Sequence, residues 1–362
     1  MTEHARQRIR RLIVGVVAGL GLAGTAASPV FADPPGPTDY QSEVRSIAPE
    51  TPTIEVGIVG GDSFVELRVE PGVDAMVIGY EGEDYLWFRP DGVVLENQNS
   101  PATYLNANRY GNDGVPATAR ADADPRWEQV ATGGYWAWHD HRAHWMQSAR
   151  PFGLEAGDQI LEAVIPIVVD GETVEVTVIS TWQPAPSPFA MWLGVVAGLG
   201  VGVGAWFLRG GRIPAIAASV PLVVLAVVVG AAQYLSLPGA TEPRPIWIVL
   251  PLIAAVSAAA GLLLAVRGMR FAADAAMLLV GVELAVWGFM KRDGLGAAIV
   301  PTDAPFWLDR FTTAAALVGG VVLVAIAIWS LFVVPATDES SDASEPLSDS
   351  REPSGSPRPA HP

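Results

Sequence analysis

Residues 160–208, ILEAVIPIVVDGETVEVTVISTWQPAPSPFAMWLGVVAGLGVGVGAWFL, contain two different periodicities and the join between them. Ile160 to Val169 and Thr173 to Trp182 read as strands around Asp170-Gly171-Glu172, because Asp-Gly supplies the positive φ angles of a tight hairpin turn. Pro184-Ala185-Pro186-Ser187-Pro188 then stops the hairpin and stiffens the chain. From Phe189 to Leu208 the sequence is apolar without a charge, long enough to cross a bilayer as a helix.

Toward the C-terminus the same pattern recurs in Ile213 to Leu237, Ile246 to Val266, Phe271 to Met290 and Thr312 to Val334. Five spans are therefore expected, and their prolines and glycines do not argue against this, since packed membrane helices tolerate both. The segment Lys291 to Arg310 is expected as a loop packing under the preceding domain, with Phe306 and Trp307 at the lipid interface. Residues 335–362, rich in Ser, Asp, Glu and Pro, read as a disordered acidic tail.

Toward the N-terminus, Thr53 to Val59, Phe64 to Val69, Ala75 to Tyr80, Tyr85 to Phe88 and Val93 to Glu96 alternate as strands between Gly-rich and Asp-rich turns. The predicted fold is an all-β exported domain over residues 53–183, an antiparallel sandwich or open barrel, followed by an α-helical transmembrane bundle. Residues 184–188 are its Pro-rich linker. Residues 33–52 have the composition of a disordered leader. Arg6, Arg8, Arg10 and Arg11 precede an apolar run from Leu12 to Ala23 and small residues ending at Ala32, the pattern of an export signal at residues 1–32. An uncleaved anchor is the alternative, and either version exports the β-rich domain. Export sets the expected orientation in the cytoplasmic membrane: the N-terminal domain outside, the turns Arg209 to Arg212 and Arg267 to Arg270 and the tail inside. Loop charges alone nearly tie.

Half the residues are hydrophobic and only 17% are charged, too apolar for a soluble protein of this length. No cysteine is present, which removes disulfides, thiolate metal sites and cysteine nucleophiles. Residues 33–187 hold 25 Asp and Glu against 8 Arg, a net −17 that repels nucleic acid and attracts cations.

Three of the 5 histidines lie in Trp138-His139-Asp140-His141-Arg142-Ala143-His144-Trp145-Met146. If Tyr135 to His141 is a strand, His139 and His141 share a face, and a turn at Arg142 brings His144 round to a three-nitrogen site. Neutral imidazoles there suit copper, with zinc as the alternative. Copper is favoured by its affinity for imidazole and by the thioether of Met146, with Asp140 orienting an imidazole from behind. Alternating Trp, His and Arg at a sheet edge is equally read as ordinary packing. The run is also similar to the His-x-His-x-Asp-His motif of metallo-β-lactamase-like hydrolases, but Ala143 stands where that motif has aspartate, and beyond His144 the chain has only His361, in its tail.

Ser100-Pro101-Ala102-Thr103-Tyr104-Leu105-Asn106 together with Trp138 to Met146 resembles a family of uncharacterised actinobacterial exported membrane proteins. The resemblance covers the exported domain and the spans, and implies this architecture with no catalytic role.

Glu283 falls mid-span, with Leu279, Trp287 and Met290 predicted on its side, and Asp274 lies nearer the cytoplasmic end. A proton or cation path through Glu283 competes with a packing carboxylate. No phosphate loop, nucleophile elbow or His-Glu-x-x-His helix occurs, so an enzyme is the least supported class. Two readings remain: copper capture outside the membrane with handover to the spans or to metal-handling partners, or a structural or interaction module of the envelope.

Overall fold

The computed structural model describes residues 35–111, 114–147, 149–210, 213–241 and 243–332. The expected export signal at residues 1–32 and the expected acidic tail at residues 335–362 lie outside them. Ten strands make the first domain: β1 (Tyr40–Ala48), β2 (Ile54–Val59), β3 (Phe64–Val69), β4 (Ala75–Ile78), β5 (Asp84–Phe88), β6 (Val94–Asn97), β7 (Trp127–Ala131), β8 (Tyr135–Trp138), β9 (Gln159–Val169) and β10 (Glu172–Trp182). A short helix, α1 (Pro101–Leu105), comes after β6. A seven-stranded sheet in the order β1-β10-β9-β4-β5-β6-β7 faces a three-stranded sheet β2-β3-β8, and every pairing is antiparallel. Val65, Leu67 and Val69 of the small sheet share one core with Val77, Leu86, Phe88, Ile165, Ile167 and Val176 of the large one. The domain is a sandwich, closed by apolar burial between its layers. Asp170 and Gly171 take φ of 48° and 85°, the turn that the Asp-Gly pair requires.

The expected leader over residues 33–52 is corrected within its described part, where β1 pairs along β10 from Tyr40–Trp182 to Ala48–Glu175. The register shifts between Val44 and Ser46, so the inward residues are Ser42, Val44 and Ile47. That bulge breaks the period of two, and the outward Glu43, Arg45 and Ser46 give an edge strand a polar composition. The unpredicted β7 is likewise a polar edge strand, with Glu128 and Gln129 exposed.

Five helices are long and apolar enough to cross a membrane, as expected. They are α2 (Phe189–Leu208), α3 (Val220–Leu235, led in by a 3-10 turn at Ala215–Ser219), α4 (Ile246–Val266), α5 (Arg270–Met290) and α6 (Phe306–Phe332). The expected loop Lys291 to Arg310 is shorter than predicted, because α6 begins at Phe306 and carries Asp309 and Arg310 inside it. Small residues let the backbones meet: a Cβ on Gly198 of α2 would stand 2.7 Å from the Ala315 carbonyl of α6, and Gly281 of α5 abuts Gly320 of α6 in the same way. Pro251 inside α4 has no N–H to give the Trp247 carbonyl, and the indole Nε1 of Trp287 in α5 donates to that carbonyl instead at 2.9 Å. A helix defect thus becomes an interhelical bond.

The β-domain is seated on the loop between α5 and α6, as expected. Thr38 and Ile299 exchange two main-chain hydrogen bonds of 3.1 and 2.9 Å. The Ala298 N–H donates to Asp39 Oδ1 at 2.9 Å, and the Gln183 N–H donates to the Asp39 carbonyl at 2.7 Å.

Candidate histidine site

Strand β8 ends at Trp138, earlier than the strand to His141 on which the predicted alternation rested, and residues 139–144 form a turn. Asp140 builds it. Its fully buried carboxylate accepts from Trp138 Nε1 at 3.0 Å, from the Arg142 N–H at 3.0 Å and from the Arg142 guanidinium at 2.8 Å, while Ala143 N–H closes the turn on the Asp140 carbonyl at 2.8 Å. Burial alone would raise the Asp140 carboxyl. The Arg142 hydrogen bonds and charge, with the Trp138 bond, outweigh it and hold the group below the usual carboxylate range. Asp140 therefore orients Arg142 and Trp138, and not an imidazole as its place in the sequence had suggested.

The turn is tied down from several elements. Arg142 Nη1 donates to the carbonyl of Ile78, the last residue of β4, at 3.0 Å, and Ser42 of β1 donates to the Ala143 carbonyl at 2.5 Å. Ser100 caps α1 by accepting the Ala102 N–H, and Asn106 at the other end takes the Tyr80 hydroxyl, which in turn accepts the His141 N–H at 2.8 Å. The segments 100–111 and 138–146, separate in sequence, form one structure.

Each imidazole faces a main-chain carbonyl. His139 Nδ1 lies 2.6 Å from the Ser63 carbonyl, His141 Nε2 3.2 Å from that of Asn108, and His144 Nε2 2.7 Å from that of Arg109. A carbonyl only accepts, so these ring nitrogens carry the hydrogens. The rings meet edge to face, His144 being 5.4 Å from His141 and 6.2 Å from His139 between centroids, and His139 stacks on Phe64 at 4.1 Å. Burial first, then the Arg109 charge and the neighbouring histidines, push the His144 imidazole down to about 3, against its bond to the Arg109 carbonyl. Burial also lowers His141, opposed by the Asn108 carbonyl and Asp140. Both are neutral at neutral pH.

The structure thus brings His139, His141 and His144 together. His144 Nδ1 is buried without a hydrogen-bond partner, the state of a nitrogen with a lone pair to give. Yet among the described residues no group of three or more His, Cys, Asp or Glu side chains is arranged to hold a metal ion. Met146, half-buried, lies beyond the turn in irregular chain. A cleft of about 320 Å³ between the β-domain and the helix ends is lined by Ser63, Arg109, Tyr110, His139 and Arg244.

In the helical module Glu283 is buried, and its Oε2 has no hydrogen-bond partner. Trp287 is buried on the same face, but Met290 is exposed and does not face the bundle, contrary to the helical-wheel expectation. Asp274 is half-buried.

A second polar cluster has no counterpart among the sequence-based expectations. Lys291 Nζ donates to Asp309 Oδ2 of α6 at 2.5 Å and to Gln233 Oε1 of α3 at 2.6 Å, 4.8 Å from the Trp287 ring centroid, and all four side chains are buried. Arg310 beside it donates to the Gly294, Ala297 and Ala298 carbonyls. The available signal was that Lys291 is the only lysine in the chain. No family model matches the chain, and no curated protein or solved structure matches it.

Proposed function

We propose that this is a multi-pass membrane protein of the cell envelope that holds an acidic β-sandwich in a fixed pose against the outer face of the cytoplasmic membrane, as a docking module for other envelope proteins. One observation carries this reading: the β-domain is joined main chain to main chain to the loop between its last two membrane helices, through Thr38 and Ile299. A domain on a loose tether needs no such pairing. In this reading the histidine turn is an internal clasp, each imidazole donating to a carbonyl of the loop beneath it.

Copper capture, with zinc as the alternative, is the second reading. It is supported by the neutral His141 and His144 rings in edge contact and by the buried, unpartnered Nδ1 of His144. In that reading these rings supply the nitrogen donors and their carbonyl partners fix the tautomers.

Metal analysis of the purified full-length chain, beside His139→Ala, His141→Ala, His144→Ala, separates the two. The docking module binds neither metal stoichiometrically and loses β-domain stability in the triple variant. Stoichiometric copper or zinc that disappears in a still-folded variant overturns it in favour of capture.

A further inference from the structure

Phe152 is 103% exposed and Leu154 37%, in the connection from β8 to β9, on a domain whose other large apolar side chains are mostly buried. Both ends of that connection lie on the membrane side of the sandwich. At its start His139 shares a cleft with Arg244, from the loop between α3 and α4. At its end Gln159 pairs with Thr181, next to Trp182 where the chain leaves for α2.

Its middle is tied to the same level. The Arg150 guanidinium lies 3.9 Å from Asp39 and 5.6 Å from the Trp182 ring centroid. Asp39 holds Ala298, and the Ala298 carbonyl accepts from Arg310 in α6 at 2.8 Å. Arg150 is therefore three contacts from a membrane helix, and Phe152 comes after it within about 7 Å of extended chain. Gly153, with φ of 76°, turns the chain at the tip, and a Cβ built there would meet nothing within 4 Å. The tip faces open space, and Phe189, Trp192 and Trp307 are likewise exposed at the ends of α2 and α6 that adjoin the β-domain. Aromatic side chains at such helix ends belong to the lipid interface, and an apolar tip left in water forgoes the transfer free energy that the interface offers.

From these placements we infer that the tip Phe152-Gly153-Leu154 dips into the bilayer interface on the β-domain's side, as a lipid contact separate from the five helices. It stands whether or not the histidines take a metal.

The chain has no cysteine, so Phe152→Cys and Leu154→Cys each place a single nitroxide label on the full-length protein in phosphatidylcholine nanodiscs. Glu172→Cys, at the opposite end of β10, is the water-side reference. The expected result is that oxygen relaxes the labels at 152 and 154 more than a water-soluble nickel complex does, with the order reversed at 172. Labels at 152 and 154 that behave like the reference overturn the inference. If one labelled variant misfolds the other still decides, since both replaced side chains lie at the surface.

Discussion

Two of the buried ion pairs among the described residues, one on either side of the junction, are assembled differently. In the β-domain Asp140 meets Arg142, two residues away, and the pair shapes its own turn before it bonds to anything distant. In the helical module Lys291 meets Asp309 from another helix and Gln233 from a third. The first is a local device with some access to water, the Arg142 side chain being 16% exposed. The second is nearly sealed, at 2% and 1%. Sealed charges lose the most when a partner goes, because the survivor has neither water nor a substitute.

The largest effect is therefore expected at Lys291. Lys291→Met strands the Asp309 carboxylate and should cost about 3–5 kcal/mol. Combining it with Asp309→Leu should return most of that loss, since an apolar pair of similar volume suits the site. Thermal unfolding of the purified variants in detergent reads both. A single variant as stable as the native chain would mean that the pair is not sealed.

Asp140→Asn comes next, at about 2–4 kcal/mol, because Arg142 keeps some hydration. The sign of the shift sets the pH dependence. The folded Asp140 carboxyl titrates below its unfolded value near 4, so its stabilisation is present above about pH 4 and is lost as the pH falls through the folded value. Acid unfolding of the asparagine variant should lack that component. An unchanged acid limb would place the sensitivity elsewhere.

His144 shifts the comparison from pairs to a single neutral ring. Its folded pKa of about 3 lies below the unfolded value near 6.5, so the unfolded chain takes up the proton first and stability falls with pH across that window. Between pH 7 and pH 5 the native protein should lose about 2 kcal/mol through this site. His144→Gln keeps an amide N–H for the Arg109 carbonyl and removes the titration. Denaturant midpoints at the two pH values should then converge, and equal pH dependence in both proteins would show that the ring is protonated in the fold.

The same contrast explains what was legible in the sequence. Seven of the strands and all five helices announced themselves by period or hydropathy, because each has a continuous buried face. β1 did not, since its bulge resets the alternation at Val44. The histidine cluster was visible because its members are neighbours, but its chemistry was not. Its partners are the carbonyls of Ser63, Asn108 and Arg109, and a main-chain acceptor leaves no side-chain signature. For the Lys291 cluster the members were visible and their meeting was not, because helix packing, driven by glycines such as Gly198 and Gly281, brings them together.

Ser42 tests the smallest piece of the local arrangement, the bond from the strand that the sequence hid to the turn that it displayed. Its hydroxyl is buried at 1% exposure and donates to the Ala143 carbonyl. Ser42→Ala removes a neutral hydrogen bond and leaves that carbonyl short of one donor, for an expected loss of about 1 kcal/mol. The loss should fall on β1 rather than on the sandwich as a whole, because β10 still pairs the strand along its length. Amide exchange would then quicken in residues 40–48 and in the turn while β9 and β4 keep their protection. Uniform acceleration across both sheets would mean instead that β1 and the histidine turn unfold with the core, making the clasp part of the sandwich's own cooperative unit.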